Sequence, residues 1–315
     1  MKVAHCVAFF AACLAFGFRS EAQTTPVASD AARPAPSLEA QFQPNDTVVF
    51  LGATFLEREG DYGHLETALS TAWPQKALKF RNLAWSGDTV WGSSRSYFGP
   101  PAEGLQRLTG HLALVKPNVV ICQYGAAEAW DGPARIPAFV AQYRTLLDLI
   151  AKAPGSPRTV LVSPLPCQNR AGRDLSTQNR NLAQYRDAIQ ALAAERSLPF
   201  FDAFQWVSNL PDRPENMTVD GVNLSEDGYA YLGKSLSTLL SGSTGPAATP
   251  EPLRTLIREK NRLFFHRWRP ANETYLFGFR KHEQGNNGAE IPLFDPLIEA
   301  RDKEIAQALT APPKP

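Results

Sequence analysis

The sequence predicts an α/β protein: a three-layer α/β/α sandwich on a mostly parallel five-stranded sheet, plus an irregular C-terminal extension. Two observations predict it. Short, near-continuous apolar runs alternate along the chain with longer segments whose apolar residues recur at helical spacing. A strand that is apolar on both faces needs helices on both sides of its sheet. The composition agrees: 43% hydrophobic and 20% charged residues are ordinary for a globular chain, and 315 residues suffice for one large domain with an appendage.

The elements follow in order. DTVVFLG (46–52) is β-branched, apolar and ends in Gly, and reads as the first strand. GHLETALSTAW (63–73) has helical spacing, and ALKFRNLAW (77–85) reads as the second strand. Pro117 opens NVVICQYG (118–125), a third and buried strand, and FVAQYRTLLDLIAKA (139–153) is an amphipathic helix. RTVLVSPLP (158–166) is the fourth strand, NRNLAQYRDAIQALAAERS (179–197) a long helix, and LPFFDAF (198–204) the fifth strand. SEDGYAYLGKSLSTLL (225–240) closes the domain, which spans 45–242. In such sheets a ligand sits outside the carboxyl ends of the strands, so the loops after residues 52, 84, 124, 165 and 203 are the ones to inspect.

Both ends of the chain carry further signals. MKVAHCVAFFAACLAFGF followed by RSEA reads as a signal peptide over 1–22, cut near Ala22, with export to the periplasm or beyond. Its apolar run is short for a membrane span, and no stable span is expected after cleavage. Residues 23–44 are rich in Pro, Ala and Ser and read as a flexible leader. Residues 243–315 form a linker and an extension. Its aromatics Phe264, Phe265, Trp268, Tyr275, Phe277 and Phe279 are expected to pack on the main domain, because alone it is small for a core. Cys122 and Cys167 remain after cleavage, either paired or as buried thiols. Metal-ligand spacings such as CxxC or HExxH are missing from the sequence, so neither metal nor cofactor is expected. A net charge of +1, with basic residues spread along the chain, gives no nucleic-acid footprint.

Four loops carry the candidate chemistry. FLGATFLERE puts Thr54 at a helix start, as a nucleophile or a cap. NLAWSGDTVWG offers the Gly87 N–H to a ligand oxygen, or is a plain turn. CQYGAAEAWDG holds Gly125, Ala127 and Glu128, and VDGVNLSEDGY holds Asp220 three residues before Asn223.

Singly these are weak; in this order they resemble the four blocks of the SGNH (GDSL-type) hydrolase family over roughly 46–242. FRNLAWSGDTV and DGVNLSEDGYAYLG carry the resemblance most specifically. The whole chain, with NRLFFHRWRPANETYLFGFRKHEQGNN, is similar to an exported planctomycete-type subgroup with a C-terminal aromatic extension. The resemblance implies a flavodoxin-like fold and hydrolysis of an acyl ester, such as an acetyl group on carbohydrate. Thr54 falls on the nucleophilic serine, Gly87 on the oxyanion glycine, Ala127 on the oxyanion asparagine, Asp220 on the aspartate and Asn223 on the histidine. Three of the four name residues therefore depart. Loss of one oxyanion donor costs about 10²–10³ in rate, and loss of a triad base or nucleophile about 10⁶.

A substitute base has to come from His64, His111, His266, His282 beside Glu283, or Glu128; His282 is the candidate if the extension folds over the strand ends. Two functions follow: an esterase with rearranged catalytic residues, or an inactive carbohydrate- or ligand-binding protein. For the second, Trp85, Trp91 and Trp130 are available to stack on sugar rings, unless they pack the extension. The two separate on whether a base lies within hydrogen-bond reach of Thr54.

Overall fold

Five parallel strands form the sheet: β1 (Thr47–Gly52), β2 (Lys79–Asn82), β3 (Val119–Gln123), β4 (Arg158–Val162) and β5 (Phe200–Phe201). They lie in the order β2-β1-β3-β4-β5. The computed structural model describes residues 38–310 except residue 98 and residues 243–249. The signal peptide at 1–22, most of the leader and residues 243–249 of the linker lie outside the described residues.

The central strands are buried because they are apolar on both faces: Val48, Val49, Leu51, Val119, Val120, Cys122 and Leu161 are fully buried. Register places Phe50 opposite Asn82 on one side and Ile121 on the other. The chain runs outward from β1 to β2 and then returns across β1 to β3, so the order reverses at β1/β3. That reversal opens a crevice at the carboxyl ends of β1 and β3.

Among the described residues seven α-helices follow within the domain: α1 (Thr54–Tyr62), α2 (His64–Ala72), α3 (Pro101–Val115), α4 (Ile136–Ala151), α5 (Ser176–Glu195), α6 (Ala203–Ser208) and α7 (Glu226–Ser241). Two apolar layers result. One joins Leu51, Val120, Cys122 and Leu161 to Leu108, Phe139, Tyr143 and Ile189. The other joins Val48, Phe50 and Val160 to Leu65, Leu69, Tyr229 and Leu232. The α/β/α sandwich is thus as the sequence predicts.

The irregular middle of the extension is as the sequence predicts, and a long helix lies on either side of it. The extension consists of α8 (Glu251–Trp268), a single turn α9 (Glu273–Leu276), irregular turns, and α10 (Phe294–Thr310). Leu253, Ile257, Phe264 and Trp268 make the buried face of α8, and Ile298 and Ile305 that of α10. Helix α8 covers edge strand β2, whose open side would otherwise present unpaired backbone. The buried Lys260 ammonium bonds Glu66 Oε1 at 2.6 Å and the Phe80 carbonyl at 3.0 Å, and Asn261 Nδ2 bonds Glu66 Oε2 at 3.0 Å. Asp302 of α10 accepts two bonds from Arg81 of β2.

The end of the leader is held rather than loose. Phe42 is buried against Trp73, and Lys76 Nζ bonds the carbonyls of Glu39 and Phe42 at 2.9 Å each. Cys122 and Cys167 are both free and buried.

Candidate functional site

The loops after β1, β2, β3 and β4, with the start of α7, enclose a cleft of about 260 Å³. Thr54, Gly87, Ala127, Trp130, Cys167 and Asn223 line it. Gly52 brings β1 close to β3: a Cβ there would stand 2.3 Å from the Gln123 carbonyl oxygen. Thr54 is the first residue of α1 and does not cap it, since Ala53 holds the cap position. Its Oγ1 instead accepts from the Gly87 N–H at 3.1 Å. Gly87 has φ +71°, the left-handed region that a side chain disfavours.

The loop after β2 is braced from beneath. Asp88 and Arg95, both fully buried, pair at 2.7 Å, and the Tyr124 hydroxyl donates to the same Asp88 oxygen at 3.0 Å. Arg95 also donates to the Leu83 carbonyl at 2.7 Å. Glu128 ties this loop to the next: one carboxyl oxygen accepts from Val90 N–H and the other from Gly125 N–H, each at 2.9 Å. Burial pushes the Glu128 carboxyl up to about 7. Both its oxygens and the Gly125 N–H are thus engaged with the protein, and neither residue lines the cleft.

At the opposite wall Asp220 Oδ1 accepts from the N–H groups of Val222 at 2.9 Å and Asn223 at 2.7 Å. Its Oδ2 accepts from Asn223 Nδ2 at 2.8 Å. Burial works to raise the Asp220 carboxyl, but these bonds and the nearby Arg173 outweigh it and hold it below the usual range. Asn223 occupies the cleft with an amide, which donates to the aspartate yet has no basic lone pair.

None of the four histidines among the described residues lines the cleft. His64 starts α2 and is buried against α7, where a Cβ on Gly233 would stand 2.7 Å from its own Cβ; burial pushes its ring down to about 4. His111 packs edge-on against Trp268 at 4.9 Å, and burial lowers it to about 3. His266 is exposed beside Phe265 and Phe294. His282 is exposed in the turn Lys281–Gln284, while neighbouring Glu283 is bound by Arg280 at 2.6 Å.

The tryptophans divide likewise. Trp85 is buried, packed edge-on to Trp268 at 5.7 Å and under the Arg269 guanidinium at 3.6 Å. It therefore anchors the extension and is not free to stack on a ligand. Trp91 is half-buried against the core, and only Trp130, 51% exposed, lines the cleft. Gln123 and Gln178, which are not among the candidate residues of the four sequence loops, also line it. A signal existed for Gln123, a polar residue closing the apolar run VVIC. Among the described residues no cluster of His, Cys, Asp or Glu is arranged to hold a metal ion.

Comparison with known proteins adds three findings. The profile of the GDSL-like Lipase/Acylhydrolase family matches residues 50–231, more than half of the chain. A putative GDSL-like lipase from Parabacteroides merdae is 15% identical over 64% of this chain and 97% of its own, with a TM-score of 0.50. A variant of Axe2, an acetyl xylan esterase from Geobacillus stearothermophilus, is 16% identical over 66% of this chain and 100% of its own, also at 0.50. At such identities the likeness is one of fold. No curated protein matches the chain.

Proposed function

This chain belongs to the GDSL-like lipase/acylhydrolase family, and on that premise we propose that its cleft binds a small neutral ligand without the family's ester hydrolysis. One observation carries the proposal: no group in the cleft is fit to take a proton from Thr54. Among the described residues that line it there is no His, Asp or Glu.

In this reading Thr54, Ala127 and Asn223 stand where the family has its nucleophilic serine, oxyanion asparagine and catalytic histidine. The nucleophile position keeps a hydroxyl, but a hydroxyl needs a base at neutral pH. Asp220 retains its orienting place and now orients an amide. The remaining titratable groups of the cleft do not substitute. Burial pushes the Cys167 thiol up to about 11, and the buried Tyr229 hydroxyl is spent on the Phe55 carbonyl at 2.7 Å. A carbohydrate or its acyl ester is the proposed ligand class. Exposed Trp130 at the rim and the uncharged lining support it, and an acetyl xylan esterase shares the fold, which is analogy only. Export and placement in an exported subgroup with this extension belong to the same proposal, resting on the sequences of 1–22 and 250–315.

The test is hydrolysis of 4-nitrophenyl acetate by the chain from residue 23 onward, beside Thr54→Ala and His282→Ala. Background rates in all three, with folding verified by circular dichroism, are expected. A rate above buffer that falls in Thr54→Ala would show that the cleft is a working esterase site and end the proposal.

A further inference from the structure

Two buried amide side chains in the cleft have hydrogen-bonding capacity that the protein does not use. Gln123 closes β3 and is 1% exposed; its Nε2 donates to the Ser163 carbonyl at 3.4 Å, and its Oε1 has no partner. Gln178 lies on α5 and is 5% exposed, with its Nε2 unpartnered. Because the Gln123 nitrogen faces a carbonyl, its orientation is fixed and the free atom is the acceptor. A buried polar atom without a partner is uncommon in a native fold and calls for something to meet it. Both residues line the cleft beside Thr54 and Asn223.

Resting on the reading of the cleft as a binding site, we propose that Gln123 Oε1 and Gln178 Nε2 together select a neutral saccharide. They would do so through a group that both gives and accepts a hydrogen bond, a hydroxyl or a secondary amide. The acceptor demands a proton from the ligand, which an ester carbonyl or a carboxylate lacks. A carboxylate would also meet the Gln123 oxygen with no cation in the lining to offset it. A hydroxyl satisfies both amides through one atom, and a secondary amide through its N–H and its carbonyl. Leu165, Leu182 and Val222 in the wall suit the C–H face of a sugar ring, and Trp130 at the rim offers a stacking surface.

Isothermal titration calorimetry on the chain from residue 23 tests this with four probes. Xylobiose carries hydroxyls only, N,N′-diacetylchitobiose adds secondary amides, and sodium acetate and sodium propionate carry a carboxylate without any hydroxyl. The expected result is binding of at least one neutral saccharide and of neither carboxylate. Gln123→Met and Gln178→Met should each weaken that binding by about ten-fold or more. Binding of both saccharides assigns the hydroxyl, and binding of the chitobiose alone assigns the amide. The inference is overturned by carboxylates that bind as well as saccharides, by unchanged affinity in the methionine variants, or by no saccharide binding. If Gln123→Met does not fold, Gln178→Met and the carboxylate comparison decide. Unchanged affinity in the methionine variants overturns this inference alone. Carboxylate binding or no saccharide binding would also remove the neutral-ligand part of the proposed function, whose non-hydrolytic part falls only to Thr54-dependent ester turnover.

Discussion

The side-chain amide of Asn223 donates to Asp220 Oδ2 at 2.8 Å while its backbone N–H donates to Oδ1 at 2.7 Å. The carboxylate is thereby aimed at residue 223 as it would be at an imidazole N–H. An imidazole placed there would receive its orienting bond without rebuilding the loop. Asn223→His combined with Thr54→Ser and Ala127→Asn is therefore expected to hydrolyse 4-nitrophenyl acetate above background. Omitting Ala127→Asn should lower that rate by about 10²–10³, the usual worth of one oxyanion donor. Initial rates of the triple and double variants check this, and a silent triple variant would mean the cleft's geometry has changed along with its chemistry.

Glu59 gives a pH dependence with a definite sign. Its Oε1 accepts from the N–H groups of Leu65 at 2.7 Å and Glu66 at 3.0 Å, across the break between α1 and α2, while Oε2 is buried without a partner. Burial raises the carboxyl from 4.5 to about 8, so the folded protein keeps a proton that the unfolded chain releases. Its contribution is full below about 4.5 and is lost as pH rises through about 8. Glu59→Gln keeps an oxygen for both N–H groups and cannot ionise. Urea midpoints at pH 5 and pH 8 should differ less in that variant than in the unmodified chain.

The extension is held by a buried charge pair, and removing one partner is worse than neutralising both. Lys260→Met strands the Glu66 carboxylate, which then retains Asn261 alone, and is expected to cost about 3–5 kcal/mol. Adding Glu66→Gln leaves an oxygen for Asn261 and should recover most of that loss. Urea unfolding of the two variants measures the difference, and equal stabilities would argue against the pair as the anchor.

Gly104 is where α3 meets the loop that carries Gly87. A Cβ on Gly104 would stand 1.9 Å from the Gly92 carbonyl oxygen, which is backbone and cannot swing aside. Gly104→Ala is expected to cost about 1–3 kcal/mol and to shift that loop. A lower melting temperature, together with weaker saccharide binding, is the expected pair of readings.

The sheet and the placement of its loops were legible in the sequence. Runs such as VVFL, VVIC and TVLV are apolar on both faces, and only a strand covered by helices on both sides satisfies them. With the strands fixed, the loops of Thr54, Gly87, Ala127 and Asn223 had to converge at the carboxyl ends, and they do. Helix α10 was not legible. It buries only Ile298 and Ile305, too few apolar positions to stand out until α8 supplies the surface they pack on.

The fate of individual side chains was decided by tertiary structure alone. Trp85 sits in a rim loop by sequence, yet Trp268 and Arg269, far along the chain, cover it and take it from the cleft. His282 belongs to the same extension and ends in an exposed turn, while Gln123 and Gln178, unremarked in sequence, come together in the cleft. Local periodicity sets which residues form a strand or helix and which way a loop must leave it. Whether a side chain then meets a ligand, a distant helix or water depends on segments remote in sequence, whose approach no local pattern records.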